Sequence, residues 1–181
     1  MIKNKRILII GGAGFIGFNL ALNLKKLGAE VVIIDSLYVN NLVTVLTNDN
    51  FVPNSELAKT ILENRISLLK KNDIKVLYQD ARDYHSLSKN FQELKPEIVV
   101  HLAAVSHANK SNKDPYSTFD HSLRTLENAL DCSRGNVEHF IFNSSSMVYG
   151  NFESIEVNEE SVCNPIGIYG ALKFAAEKLI I

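Results

Sequence analysis

The chain has 181 residues, of which 46% are hydrophobic and 22% charged, and its formal net charge is -1. That length supports one domain with a real core. The balanced charge, without a run of Lys or Arg, excludes the footprint of a nucleic-acid binder.

The first element is a strand at 6–10, "RILII". With "KNKR" near it, the segment loosely resembles a secretory leader, but glycines interrupt the apolar run and no cleavage site is evident. No apolar window reaches the roughly 18 residues of a membrane span. Cys132 and Cys163 lack metal-like spacing and read as reduced thiols, so the expectation is a cytoplasmic protein with no membrane partner.

A helix at 14–27 follows, carrying Ile16, Leu20, Leu24 and Leu27 at helical spacing, with Gly28 as its stop. A strand at 30–35 comes next, then an Asn-rich stretch at 36–54 without a clean period, expected to be a long ligand-side loop. Leu57, Ile61 and Leu68 mark a helix over 55–71, and a strand follows at 74–79. Leu87, Phe91 and Leu94 mark a further helix closed by Pro96. Strands at 97–103 and 139–145 flank a helix at 116–133 whose apolar face is Leu123, Leu126 and Leu130, and a last helix covers 167–181. Most strands are continuous apolar runs, the pattern of strands buried on both faces of a parallel sheet. Strand–helix alternation then predicts right-handed βαβ units: an α/β, Rossmann-type doubly wound sheet with helices on both faces.

The turn "GGAGFIG" (11–17) leaves the first strand and opens the first helix. Gly11 allows a tight turn, Gly14 lets backbone approach a pyrophosphate, and Gly17 lets the helix pack closely on the sheet. Free N–H groups at the helix start suit the phosphates. Asp35 ends the second strand, where its carboxylate would accept hydrogen bonds from the adenosine ribose and repel a 2′-phosphate, which favours NAD over NADP.

"GGAGFIG", Asp35, "DARD" (80–83), "HLAA" (101–104), "SSSMVYG" (144–150) and "YGALK" (169–173) occur in an order that resembles the extended short-chain dehydrogenase/reductases, in their NAD-dependent nucleotide-sugar epimerase/dehydratase group. The resemblance implies that Asp80 and Ala81 meet the adenine and that Leu102, Ala103 and Ala104 line the cofactor. It also puts Phe15, Ile16, Ser36, Ser106, His121 and Ser144 among the cofactor-contacting residues. Ser145 matches the catalytic Ser/Thr, with Ser146 as the neighbouring alternative, and Tyr169 and Lys173 match the Y-x-x-x-K pair. Residues i and i+4 share a helix face, so the ammonium sits beside the phenol. A free tyrosine titrates near 10, and a neighbouring cation favours its phenolate form. The tyrosinate would take a proton from a sugar hydroxyl while hydride leaves for NAD. Lys173 would also hold the nicotinamide ribose, and Ser145 the reacting oxygen.

Two departures from the family pattern matter. "HSLRT" (121–125) stands where an N-x-x-G-T segment is usual, so His121 replaces Asn and Arg124 replaces Gly. Ser146 and Met147 follow Ser145 where dehydratases carry acidic residues, which favours epimerisation over elimination. "PNSELAKTILENRISLL" (53–69) looks like the insertion of UDP-uronic acid 4-epimerases. Relatives of this kind run well beyond 300 residues, so the expectation is a cofactor domain over 1–181, cut before the C-terminal substrate domain. The expected substrate is a nucleotide-diphosphate sugar, in all expectation a UDP-sugar. The expected assembly is a homodimer through the 116–133 and 167–181 helices, with Leu172, Ala176 and Leu179 near the interface. The competing expectations are a dehydratase, a decarboxylase, a reductase or a non-catalytic dinucleotide-binding module.

Overall fold

The structure, a computed structural model, describes residues 2–39, 41–47, 53–105, 108–152 and 155–180. Five strands, β1 (Arg6–Ile10), β2 (Glu30–Asp35), β3 (Lys75–Tyr78), β4 (Ile98–His101) and β5 (His139–Phe142), form one parallel sheet in the order β3-β2-β1-β4-β5. Register follows from burial. Ile7, Ile9, Val31, Ile33 and Val100 point to one face, and Leu8, Ile10, Ile34 and Val99 to the other.

Both faces are covered, which is why the strands lack alternation. Helices α1 (Phe15–Lys26) and α3 (Ser55–Lys71) cover the first face through Ala21, Leu24 and Leu69. The second is covered by α4 (Tyr84–Leu94) through Leu87 and Phe91 and by α7 (Thr125–Ser133) through Ala129. The doubly wound α/β architecture read from the sequence is the one present. At the amino edge of the sheet, Glu97 accepts from the Lys5 ammonium at 2.7 Å and from the Arg6 N–H at 3.0 Å, fastening β1 to the start of β4.

Several boundaries differ from expectation. β4 and β5 end at His101 and Phe142 rather than at 103 and 145. The reason is visible at β1: Leu102 N–H donates to Ile10 C=O at 2.8 Å, and then Gly11 turns the neighbouring chain away. Leu102–Ala104 and Asn143–Ser145 are therefore loops on the carboxyl edge. The expected 36–54 loop contains a short helix, α2 (Leu42–Thr47), and a further one, α5 (Ala108–Lys113), was not expected. At six residues neither is long enough to display a helical period.

The expected 116–133 helix is not uniform. It starts as α6 (Pro115–Phe119), with the Asp114 carboxylate accepting from Ser117 N–H at 3.1 Å, and widens to a π-helical turn over Asp120–Arg124 before α7. The Thr125 hydroxyl donates to the His121 carbonyl at 3.0 Å, and both residues are buried. Such wide turns recur at functional sites. A last helix, α8 (Gly167–Ile180), follows a 3₁₀ turn at Ser146–Val148.

Asn128 of α7 ties this layer to the loop after β3. Its buried side-chain amide donates to the carbonyls of Ala81 at 3.0 Å and Arg82 at 2.9 Å. Asn128→Ala strips both carbonyls of their partner, so urea unfolding should show a loss of about 2 kcal/mol, on the scale of unsatisfied buried polar groups. A loss below about 0.5 kcal/mol would mean that the amide does not hold this loop.

Candidate functional site

Chain connections from β1 run toward β2 and β3, whereas β4 leads the other way to β5, so the helices part above the carboxyl edge between β1 and β4. Open α/β sheets bind ligands at such a switch point. A cleft of about 520 Å³ lies there, within the roughly 300–1,000 Å³ usual for ligand sites.

The glycine turn forms the floor of this cleft. Gly11 has φ +78°, and a Cβ there would come within 2.6 Å of the Ala103 nitrogen, so no larger residue fits against β4. A Cβ on Gly17 would run into the Gly12 backbone, which sets how closely α1 seats on the turn. Gly14 is different: an added Cβ would meet only the Gly11 carbonyl, at 3.6 Å, so the space above it is open to a ligand. Phe15 and Ile16 line the cleft beside it.

Asp35 and Ser36 at the end of β2 form one wall. Both oxygens of the Asp35 carboxylate are engaged, accepting from Ala13 N–H at 2.9 Å and Leu37 N–H at 2.7 Å. Burial pushes the Asp35 carboxyl above its ordinary range, against the lowering effect of those two N–H groups. Asp80 and Ala81, after β3, line the same wall. Burial raises Asp80, but the bidentate Arg82 guanidinium, with contacts down to 2.6 Å, outweighs it and holds the carboxyl below its usual value. Arg82 also reaches Asp120 at 2.5 Å, joining this wall to the π turn. There His121 lines the cleft and stacks on Tyr38 at 6.0 Å, with burial first and Arg82 second lowering its pKa.

The opposite wall carries Leu102, Ala103, Ala104, Tyr169 and Lys173. Tyr169 and Lys173 share one face of α8. The buried Lys173 ammonium donates to Asn143 C=O at 2.6 Å and stands 4.5 Å from the centre of the Phe142 ring. Burial depresses its pKa to about 8. Below it lies His101, wholly buried between Phe140 and Phe142, with neither ring nitrogen hydrogen-bonded among the described residues. Burial, and secondarily the Lys173 charge, push its pKa to about 3, so the imidazole is neutral at physiological pH.

Not every expected residue reaches the cleft lining. The Ser145 hydroxyl accepts from Met147 N–H at 3.3 Å and caps the 3₁₀ turn. Ser144 hydrogen-bonds Glu177, one turn beyond Lys173. Ser106 lies outside the described residues. Of the expected interface residues, Leu172 and Ala176 are buried within the chain beside Leu123 and Phe142, and only Leu179 is exposed. Their helical spacing on α8 serves internal packing, which corrects that expectation.

Other cleft residues were not anticipated: Val39, Asn41, Arg65, Gln79, Thr125 and Asn143. Thr125 and Asn143 adjoin motifs already singled out and could have been found from them. Arg65 carries no sequence signal, because α3 reaches the cleft only through the tertiary arrangement. The open space over Gly14, the closed contact at Gly11 and the buried cation on the far wall fit a dinucleotide lying across the switch point.

The model of a family described as the NAD dependent epimerase/dehydratase family matches residues 7–181. Among curated proteins, Protein CapI of Staphylococcus aureus is 32% identical over 95% of this chain and 47% of its own length. A UDP-glucose 4-epimerase of Lactobacillus helveticus is 28% identical over 97% of this chain and 46% of its own. Among solved structures, a UDP-Glc/GlcNAc 4-epimerase of Campylobacter jejuni superposes with a TM-score of 0.80 at 25% identity, covering 98% of this chain and 48% of that one. A UDP-glucose-4-epimerase of Stenotrophomonas maltophila, solved with NAD and formylated UDP-arabinopyranose, gives 0.79 at 27% identity. The chain spans about half the length of the curated relatives it matches.

The buried Lys173 makes stability depend on pH. Between about pH 8 and the free value of 10.5, the unfolded chain keeps a proton on this amine that the folded chain has released. Folding is therefore favoured as pH rises through that window, and below it the cost of burying the charge is constant. Lys173→Met removes the effect. In the absence of ligand, the stability of the variant minus that of the parent should be largest below pH 8 and fall by about 3 kcal/mol as pH approaches 10.5, a full titration of the shift. Paired urea titrations at several pH values measure it, and a pH-independent difference would refute it.

Proposed function

The chain belongs to the NAD-dependent epimerase/dehydratase family, and from that premise we propose that it is the cofactor-binding, catalytic half of a nucleotide-sugar 4-epimerase. One observation carries the reading: the glycine turn, the small-residue loop Leu102–Ala104 and the Tyr169/Lys173 pair line a single cleft. A pure binding module has no need of that pair.

The glycine turn and the start of α1 would hold the pyrophosphate of NAD, Asp35 the adenosine ribose, and Asp80 with Ala81 the adenine. When bound, NAD supplies a hydride acceptor. The rest of the chemistry belongs to this chain. Tyr169 takes the proton of the sugar hydroxyl being oxidised and returns it when the ketone is reduced from the other face. Lys173, one helical turn from Tyr169 and already donating to Asn143 C=O, offers its remaining N–H donors to a ribose. Ser145 stands outside the cleft lining with its oxygen accepting from Met147 N–H, and its O–H remains free to donate to a substrate oxygen placed beside the cleft. Elimination would need a carboxyl acid and base beside Ser145, and the residues there are Ser146 and Met147. That favours epimerisation over dehydration.

The substrate class is a UDP-sugar, in keeping with the relatives' own names, and the setting is cytoplasmic. A homodimer would use the outer faces of the α6–α7 and α8 helices, where Tyr116, Phe119 and Leu179 are exposed.

NAD titrated into this chain should bind, and Tyr169→Phe should leave that affinity within about threefold. In a version extended to the length of the relatives, the same change should cut kcat for UDP-sugar interconversion by roughly 10²–10⁴-fold, the usual range for a general base. Retained turnover in the Phe variant would remove Tyr169 from the mechanism. No NAD binding by the parent chain would overturn the reading as a whole.

A further inference from the structure

The chain has five arginines. Four of them sit against a carboxylate: Arg6 with Glu97, Arg82 with Asp80 and Asp120, Arg124 with Glu127, and Arg134 with Asp131. Arg65 has no carboxylate partner among the described residues. It lies in the middle of α3 and lines the cleft together with Gly14, Phe15, Asp35 and Ser36. Its guanidinium carbon is 5.7 Å from the centre of the Phe15 ring, a cation–π distance. Partial burial lowers its pKa, the sign of a cation giving up solvent without receiving an anion in return.

This is the arrangement of a cation waiting for a mobile anion. The planar guanidinium fork is preorganised, so less entropy is lost per hydrogen bond when it engages an anion. The neighbouring cleft residues belong to the glycine turn and to the end of β2, the positions that flank the adenosine half of a dinucleotide. Anions available there are phosphates. Planar guanidinium groups bind phosphate in bidentate fashion, with charge-assisted hydrogen bonds stronger than those of neutral donors. The two oxygens of Asp35 accept from Ala13 and Leu37 N–H groups, and its negative charge still disfavours a 2′-phosphate placed beside it.

We propose that Arg65 is a phosphate-binding, specificity-determining residue of the cofactor cleft, closing over a phosphate on the adenosine half of the dinucleotide. The assignment rests on the cofactor reading above. Two phosphates share the required chemistry: the pyrophosphate, common to NAD and NADP, and the 2′-phosphate, present in NADP alone.

Calorimetric titration of this chain and of Arg65→Met and Arg65→Lys with NAD, NADP and adenosine tests it. Arg65→Met should weaken dinucleotide binding roughly ten- to a hundredfold, the worth of a charge-assisted pair, and Arg65→Lys should recover part of the loss. An equal loss for NAD and NADP identifies the pyrophosphate, whereas a loss for NADP alone identifies the 2′-phosphate and makes Arg65 a determinant of cofactor choice. Adenosine, which has no phosphate, should bind the parent and both variants alike. Equal losses for adenosine and NAD would show stacking on the base and overturn the phosphate assignment. Unchanged binding of both dinucleotides in Arg65→Met would overturn it while leaving the cofactor reading intact. A parent chain that binds neither dinucleotide overturns both. Thermal melts without ligand check that the variants of this half-buried side chain are folded.

Discussion

The contact between Gly11 and the Ala103 backbone organises the site. β1 must leave the sheet just where β4 leaves it, and the two chains pass so closely that a single added carbon cannot be accommodated. The left-handed conformation of Gly11 turns the chain out of the sheet at that point, and α1 then starts from Gly14. Everything above the carboxyl edge inherits its position from this crossing. The Leu102–Ala104 loop ends up opposite the glycine turn, and α8 packs its Tyr169/Lys173 face over that loop. A sheet of the same five strands without the crossing would still have a core, since the packing of Ile9, Ile33 and Leu8 does not involve it. It would not have this cleft.

The Tyr169/Lys173 wall of the cleft keeps a buried charge at a cost in stability. A lysine ammonium lies at the edge of the core, over the Phe142 ring, with one carbonyl partner. The residue beneath it, His101, could have carried a second positive charge. Complete burial between two phenylalanine rings keeps it neutral instead. Were His101 protonated, two cations would share a low-dielectric region and Lys173 would be driven toward its uncharged amine. The unpartnered imidazole thus preserves the charge of the lysine, at the expense of two unsatisfied ring nitrogens. Local rules of polar satisfaction are broken here, beside the candidate site.

Much of this was legible in the sequence, because the informative features were either periodic or attached to backbone needs. Continuous apolar strands signalled a sheet buried on both faces, and the glycines of the first turn signalled close approaches that the structure contains at Gly11 and Gly17. What failed to register shares one property, in that it depends on how elements meet. Helix α2 is too short to print a period. The π turn at Asp120–Arg124 overlaps the "HSLRT" stretch singled out from the sequence, but nothing in those residue types announces a wide turn. The strand end at His101 depends on where β1 stops, not on its own residues. Leu172 and Ala176 read as an outward apolar stripe because helical spacing alone cannot say which side of α8 the chain itself covers. Arg65 is the clearest example: a lone arginine on a helix gains meaning only from the four others having found carboxylates.

The acids of the cleft lead to a last point about selectivity. Asp35 and Asp80 would usually be read as free carboxylates facing a ligand. Here each is already committed, Asp35 to two backbone N–H groups that shape the turns on either side of it, and Asp80 to Arg82. Each oxygen of an ionised carboxylate retains a second lone pair, so both can still accept from a ribose or an adenine amine. Their first task, however, is to hold the walls. A change at Asp35 therefore alters the ligand contact and the glycine turn together, and one at Asp80 reaches the π turn through Arg82 and Asp120. Cofactor choice cannot be assigned to one acid. In the proposed reading it would be shared between a carboxylate that doubles as a structural cap and Arg65, a guanidinium with no carboxylate partner among the described residues that lines the same cleft.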